Sequence, residues 1–354
     1  VSEKKIRILV VDDSAYHRRT LVKIIGLDAH MEVVGTAGDG EEAIKRVVNL
    51  KPDLITLDLE MPRMDGFTFL RWLMRNFPRP VLVVTSRDSN KSVFKALDLG
   101  AVDFVVKPVK YASIQLGTIE GEVLDKIREI SSLKVEDLPA KLSAMAVKEP
   151  PRVIHEATRG KYRLVAIGAS TGGPPALQSI LTKMPRGLPV GIVISQHMPE
   201  GFTRLFSERL NRLVGIRVSE AEEGDVVEDG KALVAPGGKH LLLRREKGGK
   251  VTVHIEKATE ADRYSPSIDK MMISASEIYG DRMVGVIMTG MGDDGVLGMK
   301  SVKEARGLTI AESEQTCIVY GMPREAINSG AVDRILPLGE IGDAIIGACQ
   351  GKDG

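Results

Sequence analysis

A serine set among glycines, Gly168-Ala169-Ser170-Thr171-Gly172-Gly173, is the first arrangement in this chain that could do chemistry. It fits the G-x-S-x-G pattern of a strand-to-helix turn that presents a serine Oγ. The glycines permit a tight turn and a close backbone approach. The N–H groups that open the following helix could receive an oxyanion. A phosphate-cradling loop could use the same glycines, but no lysine follows Gly173 and the spacing misses G-x-G-x-x-G. A serine nucleophile needs a base. Of the six histidines, His17 and His30 fall in the first third, His155 in a linker-like stretch and His254 in a polar alternating strand. His240 follows Gly238-Lys239 and opens an apolar run, which suits a structural role. His197 stands two residues beyond the end of the apolar run 190–195 and is the expected general base. The carboxylate that orients it is expected in Gly290-Met291-Gly292-Asp293-Asp294-Gly295. The residues alone do not separate Asp293 from Asp294, and both could be turn formers.

A second constellation lies in the first third: Asp12, Asp13, Asp58, Thr85 and Lys107. Three carboxylates gathered around one lysine repel one another, and their hard oxygens suit Mg²⁺. A carboxylate beside Mg²⁺ can attack phosphorus and form an acyl phosphate. Any one of these acids reads equally well as a solvated loop residue. The set favours a site because every member follows a short apolar run and because Lys107 precedes Pro108 at a cis-prone step.

Those runs are the elements that position both constellations. Residues 6–11, 54–57, 81–84 and 104–106 read as buried strands, with a helix over 66–77 and a last amphipathic helix over 120–132. Strand–helix alternation predicts a doubly wound parallel sheet whose strand C-termini share one edge, where such sheets hold ligands. The pattern weakens over 132–160, a predicted linker marked by Pro139 and the Pro150-Pro151 pair. A second α/β alternation then begins, with strands over 164–167, 190–195, 232–234 and 284–288 and a mostly parallel sheet. Ser170, His197 and the Asp293-Asp294 pair again fall at strand C-termini. The order Ser, His, Asp differs from the Ser, Asp, His order of α/β-hydrolases, so the serine motif does not imply that fold.

Composition narrows the classes. The 354 residues suit two domains, predicted over 1–131 and 161–354, and 43% apolar residues suffice for two cores. Lys plus Arg number 49 against 48 Asp plus Glu, so bulk charge gives no reason to expect nucleic-acid binding or a membrane surface. Two cysteines, Cys317 and Cys349, exclude a disulfide framework and fit a reducing cytoplasm. No run is long enough for a membrane span, and the start does not read as a secretory signal. A cytoplasmic protein without membrane insertion is expected. A DNA-binding second half would need a concentrated basic helix, which the C-terminal half lacks. A nucleotide-binding or scaffolding domain without chemistry would leave Ser170 dispensable.

The first third resembles the response-regulator receiver domain. Val10-Val11-Asp12-Asp13-Ser14 matches its acidic pair, Leu57-Asp58-Leu59-Glu60-Met61-Pro62-Arg63-Met64-Asp65-Gly66 its phosphoacceptor loop, and Lys107-Pro108 its lysine–proline step. The resemblance implies that Asp58 is phosphorylated and binds Mg²⁺ with Asp13. The Glu60 carbonyl adds a ligand and Asp12 acts through water. It makes Thr85 and Phe104 the switch pair, and the donor a separate chemotaxis histidine kinase. The second half resembles the chemotaxis methylesterases, the CheB family of protein-glutamate methylesterases. The motifs are Gly168-Ala169-Ser170-Thr171-Gly172-Gly173, Gln196-His197-Met198-Pro199, Pro236-Gly237-Gly238-Lys239-His240 and Gly290 to Gly295. This resemblance implies Ser170 as nucleophile, His197 as base, Asp294 rather than Asp293 as its partner, and the Met291 backbone in the oxyanion site. Asp293 stands where the family often has Asn. The implied activity is phosphorylation-regulated hydrolysis of glutamate methyl esters on methyl-accepting chemoreceptors. Deamidation of receptor glutamines accompanies it, giving adaptation, and the esterase needs no cofactor.

Overall fold

The run Ile6–Val11 forms strand β1, and its last four residues are buried. A strand apolar on both faces must lie between two helical layers. In the computed structural model, which describes residues 5–86, 90–107, 113–145 and 159–351, it does so. Strands β2 (Met31–Ala37), β3 (Leu54–Leu57), β4 (Val81–Thr85) and β5 (Asp103–Val106) complete a parallel sheet of order β2-β1-β3-β4-β5. Helices α1 (Ala15–Ile25), α2 (Gly40–Leu50), α3 (Gly66–Asn76), α4 (Asn90–Asp98) and α5 (Ser113–Ser131) alternate with the strands. Ser14, Asp39 and Asp65 cap the first three helices by accepting the N–H of His17, Glu42 and Thr68. Such caps fix where each strand-end loop stops and its helix starts. The chain leaves β1 for β2 on one side and returns to β3 on the other, so the switch point lies between β1 and β3.

The chain divides into two units, Val1–Leu142 and Ser143–Gly354. A short helix, α6 (Leu138–Met145), occupies part of the expected linker, while 146–158 lie outside the described residues. In the second unit, β6 (Leu164–Ala169), β7 (Gly191–Gln196), β8 (Arg217–Glu220) and β9 (Lys231–Val234) lie to one side of the switch point. On the other lie β12 (Met283–Ile287), β13 (Leu308–Glu312) and β14 (Arg334–Leu336). The seven-stranded sheet has order β14-β13-β12-β6-β7-β9-β8, and every pair is parallel. An antiparallel hairpin, β10 (Lys239–Arg245) and β11 (Val251–Lys257), stands apart from it. Helices α7 (Gly173–Thr182), α8 (Phe202–Leu213), α9 (Ile268–Tyr279), α10 (Val296–Glu304), α11 (Met322–Asn328) and α12 (Leu338–Gln350) complete the unit. Met271, Met272 and Ala275 of α9 share a core with Leu241 and Leu243 of β10 and Val251 and Val253 of β11. The hairpin is thereby anchored beneath α9, whose N-terminus faces the site described below.

Gly66 shows how tightly the N-terminal unit packs around Asp58. A Cβ there would lie 2.3 Å from the Asp58 carbonyl oxygen and 2.7 Å from Leu59 Cα. Neither is the movable end of a side chain, so the start of α3 can lie against this loop only without a Cβ. Gly66→Ala is therefore expected to destabilise the unit by about 1–3 kcal/mol, the usual cost of overpacking. Trp72, the chain's single tryptophan, sits in α3, so urea unfolding followed by its fluorescence reads this unit. An unchanged midpoint would rule out the steric constraint.

Candidate functional site

Ser170 is the first residue beyond β6 and His197 the first beyond β7. Main-chain bonds lock the serine turn: Ser170 donates its N–H to the Thr289 carbonyl at 2.9 Å, and Gly173 donates to the Ser170 carbonyl at 2.7 Å. The Gln196 side-chain amide donates to the carbonyls of Ser170 and His197, each at 3.0 Å, and so ties the two loops together. His197 Nδ1 lies 3.2 Å from Ser170 Oγ, and Nε2 lies 2.8 Å from Asp294 Oδ2. An ionised carboxylate only accepts, so Nε2 carries the proton and Nδ1 is left to accept from the serine. The ring nitrogens exchange the roles they have in the serine-protease triad, with the same relay of contacts.

Asp294 is buried, 3% exposed, and lies against the N-terminus of α9. Its carboxylate accepts from Ser267 Oγ at 3.1 Å, the Ile268 N–H at 2.7 Å and the Asp269 N–H at 2.9 Å, besides His197. Burial alone would raise its pKa. The hydrogen bond and charge of His197, with the Ile268 and Asp269 N–H groups, outweigh that and hold it below the usual carboxylate value. Asp293 points elsewhere, to Arg263 and to the Tyr264 hydroxyl, each at 3.2 Å. The Tyr264 ring in turn stacks on the His197 ring, centroids 5.0 Å apart and planes 8° from parallel.

Behind the serine, Gly290 comes so close that a Cβ on it would lie 2.6 Å from Ser170 Cβ. The next N–H, that of Met291, meets no acceptor among the described residues. Thr289 is pinned by the buried Glu312, which accepts its N–H at 2.9 Å, and its hydroxyl donates to the Thr171 carbonyl at 2.9 Å. His240, expected to be structural, is fully buried and accepts the Ser267 N–H on Nδ1 at 3.1 Å.

In the N-terminal unit, Asp12 and Asp58 are buried and Asp13 is exposed, with carboxylate oxygens of all three within 4.8 Å of one another. Lys107 Nζ lies 2.9 Å from Asp12 Oδ2 and 2.5 Å from Asp58 Oδ2. Burial raises the Asp58 pKa; Lys107 opposes this, the Asp12 charge adds to it, and the net shift is upward. Burial would lower the Lys107 pKa, but its bonds and charge pairing with Asp58 and Asp12 raise it. One lysine thus serves two buried acids, with Asp13 alongside. Among the described residues, Asp12 Oδ2 has Lys107 as its sole polar partner. A buried, under-bonded oxygen within a set of hard donors fits Mg²⁺. Thr85 is buried at the end of β4, with Oγ1 donating to the Ser86 carbonyl at 3.3 Å, and Phe104 is buried on β5. The side chain of Glu60 is exposed, and its N–H donates to Asp58 Oδ1 at 3.3 Å. Pro108 lies outside the described residues.

Fold and geometry together define a receiver-type domain joined to an α/β unit with a Ser-His-Asp hydrolase constellation. Comparison with known proteins narrows this. A sequence model of the CheB methylesterase matches residues 165–345, and one of the response regulator receiver domain matches residues 8–116. The chain is 46% identical over 364 residues to protein-glutamate methylesterase/protein-glutamine glutaminase 3 of Geobacter sulfurreducens, covering 98% of each. It is 42% identical over 349 residues to the protein-glutamate methylesterase/protein-glutamine glutaminase of Pyrococcus abyssi, covering 98% of this chain and 94% of that one. The crystal structure of the Thermotoga maritima CheB methylesterase catalytic domain is 40% identical with a TM-score of 0.51, covering 52% of this chain and 97% of that one. The chain belongs to the CheB methylesterase family.

Sequence reasoning missed Gln196 as a clamp, Tyr264 as the ring against His197, and Asp269. Gln196 carried a signal, since it directly precedes His197. Asp269, in the first turn of α9, accepts the N–H groups of Gly295 and Gly298 at 2.9 and 2.7 Å. Its pKa is pushed up to about 6, first by burial and further by the Asp294 charge, against the backbone donors. Below its ordinary value of 3.8, Asp269 is neutral in the folded and unfolded chain alike. As pH rises from there to about 6, the folded chain keeps a proton that the unfolded chain has lost, so stability falls across that window. Asp269→Asn stays neutral and can still accept both N–H groups. Its melting temperature should exceed that of the parent at pH 8 and converge with it below about pH 4. Equal melting at pH 8 would refute the assignment.

Proposed function

We propose that this chain is a receiver-controlled protein-glutamate methylesterase and glutaminase in which Ser170, His197 and Asp294 carry out the chemistry. Residues 1–131 would be the receiver, 132–160 the linker and 161–354 the catalytic domain. The observation that supports the catalytic assignment most is the unbroken contact from Ser170 Oγ through the His197 ring to Asp294, at 3.2 and 2.8 Å. Ser170 Oγ attacks the ester carbonyl while Nδ1 takes its proton. Asp294 stays ionised and stabilises the imidazolium. The Met291 N–H faces the oxygen that becomes negative. Nδ1 then gives its proton to the leaving methoxide, and methanol departs. Water, deprotonated by the same nitrogen, cleaves the acyl-enzyme; Nδ1 returns that proton to Ser170, and the glutamic acid formed loses its own proton to solvent. With a glutamine substrate, ammonia leaves in place of methanol. No cofactor enters these steps.

The substrates would be glutamyl methyl esters and glutamines on methyl-accepting chemoreceptors, and the setting the cytoplasm, which suits the buried thiols of Cys317 and Cys349. No helix among the described residues is long and apolar enough to cross a membrane. In the receiver, Asp58 would attack the phosphoryl group of a phosphorylated histidine kinase. Mg²⁺, when bound, neutralises charge on that group. Asp13, Asp58 and the Glu60 carbonyl would hold it, with Asp12 acting through water. Lys107 would pair with a phosphoryl oxygen and Thr85 would turn towards it, with Phe104 following.

Methanol release from methylated chemoreceptor membranes tests the esterase. Ser170→Ala should lower turnover by about 10⁴–10⁶-fold, because triad members act as a unit. Asp294→Asn should lower it by about 10³–10⁴-fold. Near-normal release by the Ser170 variant would overturn the assignment. In a separate assay, acetyl phosphate with Mg²⁺ should add one labile phosphoryl group and raise methanol release. Asp58→Asn should lose both effects, and mass spectrometry finding the adduct on that variant would place the acceptor elsewhere.

A further inference from the structure

We infer that His240 is a positioning residue of the catalytic site, acting through Ser267 on Asp294; this rests on the triad reading above. His240 is the second residue of β10 and is completely buried, yet it touches none of Ser170, His197 or Asp294 by hydrogen bond. Its Nδ1 accepts the Ser267 N–H at 3.1 Å. A ring nitrogen accepts only when unprotonated, so the proton sits on Nε2. Asp262 Oδ2 lies 3.3 Å from Nε2, off the line of a well-formed hydrogen bond, so its pull on that proton is chiefly electrostatic. Asp262 is itself fixed by Lys270 of α9 at 2.8 Å and by the Thr259 N–H and hydroxyl, both at 2.8 Å. Those bonds, that to Lys270 first, hold its pKa far below the usual carboxylate value, so it remains anionic and keeps the tautomer.

Ser267 is the N-cap of α9 and donates its hydroxyl to Asp294 Oδ1 at 3.1 Å. The next two N–H groups, those of Ile268 and Asp269, bind the same carboxylate. Whatever sets the Ser267 backbone therefore aims three of the donors that hold Asp294. His240 does so by taking an N–H that would otherwise be buried without a partner. The turn that carries His240 is also joined to the loop that carries His197. A Cβ on Gly237 would lie 2.5 Å from the Pro199 carbonyl oxygen, and the Gly237 N–H donates to Thr203 Oγ1 at 2.9 Å. The Pro236-Gly237-Gly238-Lys239-His240 segment thus abuts the His197 loop at one end and supports the Asp294 cradle at the other.

Two substitutions of similar polarity separate this from simple packing. In His240→Asn the amide oxygen falls near the place of Nδ1 and can accept the Ser267 N–H. In His240→Gln the longer amide reaches toward Asp262 and leaves that N–H unpaired, although Gln is nearer to His in volume. Methanol release by the full chain should fall about 10²-fold in kcat for His240→Gln, with KM within about twofold, the scale of a misplaced catalytic group. His240→Asn should stay within about threefold of the parent. The low-field proton resonance of His197 Nε2–H against Asp294 should move upfield in the Gln variant and keep its position in the Asn variant. Ser170→Ala serves as the control. If it is inactive while the Gln variant equals or exceeds the Asn variant in kcat, the positioning role is wrong and the triad stands. If Ser170→Ala stays active, the triad reading fails. The proton resonance, which needs no turnover, then decides His240: identical shifts in the Asn and Gln variants would overturn its role.

Discussion

A buried negative charge, that of Asp294, is the constraint around which the catalytic unit is arranged. A carboxylate that is 3% exposed must be bonded nearly to capacity, or it would take up a proton instead. Four donors meet that demand: His197 Nε2, Ser267 Oγ and the N–H groups of Ile268 and Asp269. Two of them are the free N–H groups that any helix leaves at its start. The debt is mutual. Asp294 stands just before α10 yet caps α9, while Asp269 stands in the first turn of α9 yet caps α10. Each helix presents its positive end to a carboxylate carried by the other. Neither helix can shift without leaving a buried acid unbonded, and His197 takes its orientation from that fixed anion.

The acidic site of the receiver uses the same groups to the opposite end. Asp58 is buried too, but one lysine is shared between it and Asp12, and the Asp13 carboxylate stands nearby. Burial first, with the Asp12 charge adding to it, outweighs the shared lysine and shifts the Asp58 pKa upward, whereas at Asp294 the donors outweigh burial and the shift is downward. A fully bonded carboxylate is a poor nucleophile and a good orienting group. An under-bonded one beside a cation site is suited to attack an incoming electrophile. Residue type is the same at both positions; the count of donors separates the two roles.

Strand ends were what the sequence made legible. Short apolar runs ending in Asp12, Asp58, Thr85, Lys107, Ser170 and His197 are visible without coordinates. The parallel-sheet rule then brings them to one edge in each unit. The choice between Asp293 and Asp294 was not visible in the residues, since each stands beside glycine after the same strand. It depends on Arg263 and Tyr264, about thirty positions away, which engage Asp293. Tyr264 and Asp269 were hidden for the same reason: their partners are distant in sequence and no periodicity marks them. β2 escaped because Gly35, Thr36 and Glu32 interrupt its apolar pattern and only its two end residues are buried. α5 starts earlier than expected, at Ser113, because Gly117 and Gly121 weaken the helical signal there.

Preorganisation follows from the way Ser170 is held. Its N–H is bound to Thr289, its carbonyl accepts from Gly173 and Gln196, and Gly290 packs against its Cβ. Thr289 is fixed in turn by Glu312 at the end of β13, so the support reaches across two neighbouring strands. With the backbone set, the freedom left to the Ser170 side chain is rotation about its Cα–Cβ and Cβ–Oγ bonds, and the contact with His197 selects one rotamer. In the proposed mechanism, an oxyanion forming beside the Met291 N–H would meet a donor already in place. The Ser170 turn, the Gly290 turn and the His197 loop extend from β6, β12 and β7, adjacent strands at the switch point of the sheet. A shift of any one strand would alter its distances to the other two, so the sheet's register is itself part of the geometry that joins Ser170, His197 and Asp294.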